Sequence, residues 1–226
     1  VVLPDALADA EGFRRALGAE VSRRGVGTVL PMTEGSLLAV LGEPDCCRPA
    51  HLPFADLERF RRISDKAELL RLAPEVGIAV PAQHRCGSPE ELDALLDRLA
   101  FPLVIKPSRS VVETAEGRDK VGVSHAADRM ELAARVASYP PGAYPLLLQQ
   151  RIVGPGIGVF LLPWQGTLRA QFAHRRIREK PPAGGVSVYR ESVALDPGLL
   201  ARSRALLERF QWDGVAMIEY KVDAAT

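Results

Sequence analysis

Leu103-Val104-Ile105-Lys106-Pro107-Ser108 is the stretch on which the reading of this chain turns. Its apolar, β-branched run makes a short buried strand. A lysine stands at the strand's end, ahead of a Ser/Arg-rich loop. An ammonium there loses hydration unless an anion meets it, so Lys106 marks a candidate anion-binding position. Two other stretches share this character. Leu146-Leu147-Leu148-Gln149-Gln150-Arg151-Ile152 is a second buried strand, running into Val153-Gly154-Pro155-Gly156-Ile157-Gly158-Val159-Phe160. Val215-Ala216-Met217-Ile218-Glu219-Tyr220-Lys221-Val222-Asp223 sets the carboxylate of Glu219 in an apolar run. A carboxylate so placed meets a cation, or strand alternation turns it to solvent.

The composition is that of an ordinary globular protein. The 226 residues suffice for one or two domains, and hydrophobic (47%) and charged (25%) content are unexceptional. A net charge of +1 gives no ground for a nucleic-acid or membrane-surface partner. Only five of the 29 basic residues are lysines (Lys66, Lys106, Lys120, Lys180 and Lys221), so a lysine at a given place carries information. The three cysteines, Cys46, Cys47 and Cys86, show no zinc spacing and read as reduced thiols of a cytoplasmic protein. No apolar run reaches membrane-spanning length, and no signal peptide is visible. The abrupt start and finish suggest a piece of a longer protein.

In chain order, residues 9–24 show helical spacing, with Asp9 as cap and Gly25 as stop. Residues 26–31 read as a short buried strand, and Thr33 caps a helix over 34–41. This alternation suggests parallel sheet packing. Residues 54–76 form two helices divided near Ser64-Asp65-Lys66. Ser64 as N-cap puts Lys66 in the first turn, where a cation opposes the helix dipole. A strand over 82–85 is followed by Ser88-Pro89-Glu90-Glu91, a capping-box start for a helix to about residue 100. Residues 108–119 read as a polar loop, 121–124 as a strand and 126–138 as a helix. From 157 on the pattern turns to antiparallel strands. A hairpin pivots on Gln165-Gly166, a basic crossover spans 175–185, and a strand covers 186–195. A helix capped by Asp196-Pro197 follows, and then a last strand over 214–222.

Strand lysine, hinge strand and strand carboxylate together resemble the ATP-grasp superfamily of carboxylate ligases, with carbamoyl-phosphate-synthase-like and biotin-carboxylase-like members the nearest in look. The resemblance covers roughly residues 55–226. It implies an α/β protein with the ATP-grasp fold: two α+β lobes clasping a nucleotide, preceded by the remnant of a Rossmann-like pre-ATP-grasp domain. The implied division is 1–53 for that remnant, 54–145 for the small lobe and 146–226 for an incomplete large lobe.

The resemblance also implies roles. Lys66 and Lys106, with Ser108, reach the nucleotide phosphates. The hinge at Gln149, Gln150, Arg151 and Ile152 takes adenine through its backbone. Glu219 is the first of two acidic ligands for magnesium (or manganese), the second lying on a strand beyond residue 226. Family members place a ribose-binding carboxylate where this chain reads Gly154-Pro155-Gly156. Arg176 and Arg178, two apart on a strand, share a face and form a candidate clamp for the transferring phosphate. Ser187 and Arg190 are candidates for the acceptor pocket, whereas His51, His84 and His125 read as structural or surface residues. The implied activity is ATP-dependent ligation of a small-molecule carboxylate to an amine or thiol through an acyl phosphate. The chain as it stands is expected to be inactive, and a homodimer is compatible. Two alternatives stand beside this: a nucleotide-binding module without turnover, and one part of a split carbamoyl-phosphate-synthase-type enzyme.

Overall fold

A computed structural model describes residues 1–114, 117–180 and 185–223. Its first sheet holds β1 (Gln83–Cys86), β2 (Leu103–Pro107), β5 (Ser124–Ala126) and β6 (Leu146–Gln150) in the order β1-β6-β2-β5. Every pairing is antiparallel, with Val104 opposite Gln149 and Lys106 opposite Leu147. In β2 burial alternates: Leu103, Ile105 and Pro107 are buried, while Val104 and Lys106 lie partly open on the other face. Lys106 therefore sits within the strand's open side. Helix α5 (Arg129–Ser138), capped by Asp128, lays Leu132 and Val136 on the core formed by Ile105, Leu146 and Leu148. A hairpin of β3 (Val111–Thr114) and β4 (Gly117–Lys120) stands where a polar loop was expected.

The second sheet is longer and also antiparallel. It orders β7 (Gly156–Trp164), β8 (Thr167–Lys180), β9 (Val186–Ser192) and β10 (Ala216–Lys221) as β10-β7-β8-β9. Gln165 (φ 50°) and Gly166 (φ 74°) turn the β7–β8 hairpin in the left-handed region that such tight turns demand. One face packs on α6 (Pro197–Arg209), where Val159, Leu161, Leu206, Leu207 and Phe210 form a second core. Helices α3 (Leu57–Ser64) and α4 (Lys66–Leu72) join that core through Phe60 and Leu72, though the chain then leaves to build the first sheet.

At the start of the chain, α1 (Ala10–Arg24) has Asp9 as cap and ends on Gly25 at φ 61°. Helix α2 (Glu34–Leu41) has a reciprocal capping box between Thr33 and Ser36.

Several expectations need correction. The strand over 26–31 is a single parallel bridge, Thr28 to His51, so no parallel sheet is built among the described residues, and the two sheets are those of the expected α+β lobes. The helix over 88–100 is two short 3-10 turns, Pro89–Glu91 and Leu96–Arg98. Ser88 makes no capping bond there. Glu91 instead accepts from the Gly87 N–H at 2.6 Å, which satisfies the turn without extending a helix. The strand expected at 121 begins at Ser124. Asp65, not Ser64, caps α4, because the Ser64 hydroxyl donates back to the Phe60 carbonyl at 2.7 Å. The basic crossover begins as a continuation of β8 to Lys180, and its residues 181–184 lie outside the described residues.

Phe210, fully buried beneath the second sheet, tests that core. Phe210→Ala is expected to lower unfolding stability by about 3–5 kcal/mol, read from denaturant melts with the slope unchanged.

Candidate functional site

Asp65 organises the phosphate-facing corner. Its Oδ1 accepts from the Ala67 N–H at 2.9 Å, the Glu68 N–H at 3.4 Å and the Ser108 hydroxyl at 2.5 Å. The Lys66 N–H donates to the Ser108 carbonyl at 2.9 Å, and Lys66 Nζ donates to Ser110 Oγ at 2.8 Å. The start of α4 is thereby stapled to the end of β2, and the two sequence-predicted lysines meet. Burial pushes both ammoniums below the ordinary lysine range. For Lys66, Glu34 and Asp65 act against that shift, whereas for Lys106 the neighbouring Lys66 and Lys221 ammoniums add to it.

Beyond its backbone pairing with Leu147 in the ladder, Lys106 has no ion pair or side-chain hydrogen bond to a described residue. Glu34, at the head of α2, is the acid that faces this corner. Burial raises its carboxyl, opposed by Lys66, Lys120 and Arg109. Arg109 Nε also stands 3.6 Å from Asp65 Oδ2.

The hinge is partly committed to the fold. Gln149 is buried and donates from Nε2 to Gln83 Oε1 at 2.7 Å, while Gln150 is exposed. The Gln150 N–H goes to the Ala82 carbonyl at 2.8 Å and the Arg151 N–H to the Pro102 carbonyl at 3.3 Å. The Ile152 and Val153 N–H groups donate to no described residue. Those two are the amides that a planar base could use.

The open face of the second sheet carries the remaining candidates in cross-strand rows. Lys221, Gly156 and Arg176 make the first row, Glu219, Gly158 and His174 the second, and Met217, Phe160 and Phe172 the third. Strand alternation turns Glu219 onto this face, where its side chain is 45% exposed and pairs with Arg176. Arg176 also lies 3.5 Å from Glu179, and Glu179 accepts from Lys221 Nζ at 3.1 Å. Burial would raise the Glu179 carboxyl, but Lys221, the Gly185 N–H and Arg176 together hold it below its usual range.

The glycines of β7 make this crowding feasible. A Cβ on Gly156 would lie 2.8 Å from Arg176 Cδ, and one on Gly158 would lie 2.6 Å from His174 Nε2. Arg178 does not join the group. Register shifts on either side of it break the alternation, and it is exposed with no ion pair to a described residue. Arg190 lies opposite Arg176 in register, and Ser187 is buried with no hydrogen-bond partner among the described residues.

Sequence reasoning missed Lys221, Glu179, His174 and Glu34. Two-residue spacing from Glu219 and Arg176 would have found Lys221 and His174. Glu34 and Glu179 enter only through tertiary packing and a bulge. No three His, Cys, Asp or Glu side chains cluster as a metal cage among the described residues. No described helix is long and apolar enough to cross a membrane.

Removing the unpartnered ammonium gives a stability test. A base whose folded pKa is depressed destabilises the fold fully below that pKa, and the penalty fades as pH rises toward the unfolded value near 10.4. Lys106→Met is therefore expected to gain on the order of 1 kcal/mol at neutral pH. The gap to the parent protein should close in alkaline melts.

No family model matches the sequence, and no curated protein does. Solved structures do match in shape. Biotin carboxylase from Campylobacter jejuni, solved as a β,γ-ATP complex, matches at TM-score 0.69 with 16% identity, over 95% of this chain and 50% of that one. L-amino acid ligase from Bacillus licheniformis matches at 0.62 with 18% identity, over 96% and 50%. A RiPP-associated ATP-grasp ligase from Chryseobacterium gregarium, with ADP and a leader and core peptide, matches at 0.56 with 15% identity, over 84% and 56%. The chain thus has the ATP-grasp fold, and it spans about half the length of these structures.

Proposed function

We propose that this chain is the nucleotide-binding part of an ATP-dependent carboxylate ligase. The observation that carries the reading is Lys106: a partly buried ammonium near Lys66 and Lys221, with no ion pair to a described residue, suits a polyanion, and a triphosphate is one. Lys66, Lys106 and Ser108 would hold phosphates. Ile152 and Val153 would meet the adenine edge, with Gln149, Gln150 and Arg151 shaping the hinge. The solved neighbours in complex with ATP-type nucleotide and ADP support the same assignment.

The fit for a divalent ion is narrower. Glu219 is exposed on the open face of the second sheet, and magnesium commonly uses one or two carboxylates alongside phosphate oxygens. Glu219 would be that ligand, for magnesium or manganese, once Arg176 turns toward the nucleotide. The ion would neutralise charge on the β- and γ-phosphates. Arg176, released from Glu219, is then placed to take a phosphate oxygen bidentately, with Arg178 further out on the strand. A carboxylate oxygen attacks the γ-phosphorus and ADP leaves. An amine or thiol then displaces phosphate from the acyl phosphate. Positioning and charge neutralisation supply the rate, so no side-chain nucleophile is required.

A binding module without turnover is the second reading. It is favoured by the lack of a cluster of acidic ligands around Glu219 among the described residues and by the Gly154-Pro155-Gly156 stretch, which offers no acid to a ribose.

Calorimetric titration with magnesium-ATP tests the site. Lys106→Ala is expected to weaken binding at least tenfold, and equal affinity in both proteins would overturn the assignment. A triphosphate favours the charged form of both lysines, so affinity should fall in alkaline titrations as the ammoniums of the free protein lose their protons.

A further inference from the structure

The open face of the second sheet orders its three rows away from the hinge. Gly156, which follows the hinge segment, belongs to the first; the second carries Glu219 and the third is apolar. Successive rows stand about 7 Å apart along the strands. On the ligase reading, a nucleotide held at Ile152 and Val153 would lay its phosphates over the charged first and second rows. What lies beyond its terminal phosphate is the third row.

That row is a built surface. Met217 is 45% and Phe172 48% exposed, with Phe160 between them. The Phe160 and Phe172 rings stand 5.5 Å apart, and the His174 imidazole meets them edge-on at 5.1 and 6.4 Å. His174 is itself almost fully buried, and its Nε2 has no hydrogen-bond partner among the described residues. A polar atom buried without a partner marks a place where a further polar group belongs. Adjacent large apolar side chains left open beside a charged cleft mark a binding surface.

We propose that Phe160, Phe172 and Met217 form the floor for the body of the carboxylate substrate, and that this substrate carries an apolar, ring-sized or branched group next to its carboxylate. The head lies toward His174 and Arg176, where it faces the terminal phosphate, and the body lies on the aromatic pair. This inference rests on the ligase reading and adds the substrate class to it. The step it serves is balanced: the carboxylate oxygen forms a bond to the γ-phosphorus, and the bond from that phosphorus to the ADP oxygen breaks.

The test uses saturation-transfer NMR on the protein with and without a non-hydrolysable ATP analogue. 3-Phenylpropanoate is the apolar probe and acetate its head-group control. The ring protons should show at least three times the enhancement of the acetate methyl. Phe172→Ser and Met217→Ser, both at exposed positions, should each remove most of that signal and leave calorimetric ATP affinity unchanged. Ring enhancement that survives both substitutions overturns the floor. Its absence from the parent protein does the same and leaves the patch to a polypeptide segment. If the analogue does not bind but the Phe172-dependent signal persists, the ligase reading fails and an apolar-carboxylate site stands.

Discussion

An uncompensated positive charge governs this structure. Lys66 and Lys106 come from different elements, a helix start and a strand, and each is brought out of water beside the other. Lys221 arrives from the second sheet. Like charges in partial burial repel and lose hydration, so the arrangement is unfavourable unless a polyanion enters. Such a cost at a site is the ordinary trade of stability for function.

The fold holds that corner rigid from several directions. Asp65 does three things at once: it caps α4, anchors Ser108 and balances Arg109. The Ser108 N–H is tied to the Pro145 carbonyl at 3.0 Å, which links the corner to the strand that leads to the hinge. Helices α3 and α4 pack on the second sheet's core, while the loop they point at belongs to the first. The two sheets are thus coupled through the elements that carry the lysines.

The second sheet shows the complementary logic. Its inner face is apolar and packed on α6, as an antiparallel sheet with one covered face requires. Its open face carries ion pairs near the hinge and aromatic surface further out. Gly156 and Gly158 allow both to coexist, since side chains there would strike Arg176 and His174. The pairing of Glu219 with Arg176 compensates each charge.

The sequence by itself determined many of the local elements and singled out the charged candidates of the site. Caps at Asp9, Thr33 and Asp196, the hairpin at Gln165-Gly166 and the apolar strands are legible because their signals lie within a few residues of one another. Lys106 and Glu219 stood out because charged groups in apolar runs need a reason, and Lys66 because a cation in a helix's first turn opposes the dipole. Only the tertiary structure decided the rest. Residues 88–100 have helical spacing, yet the 3-10 turns place Leu92, Leu95, Leu96 and Leu99 on the first core equally well. Arg176 and Arg178 alternate on paper, but bulges separate them. Glu34, Glu179 and the aromatic floor depend on contacts between segments far apart in the chain, and no local pattern encodes such distances.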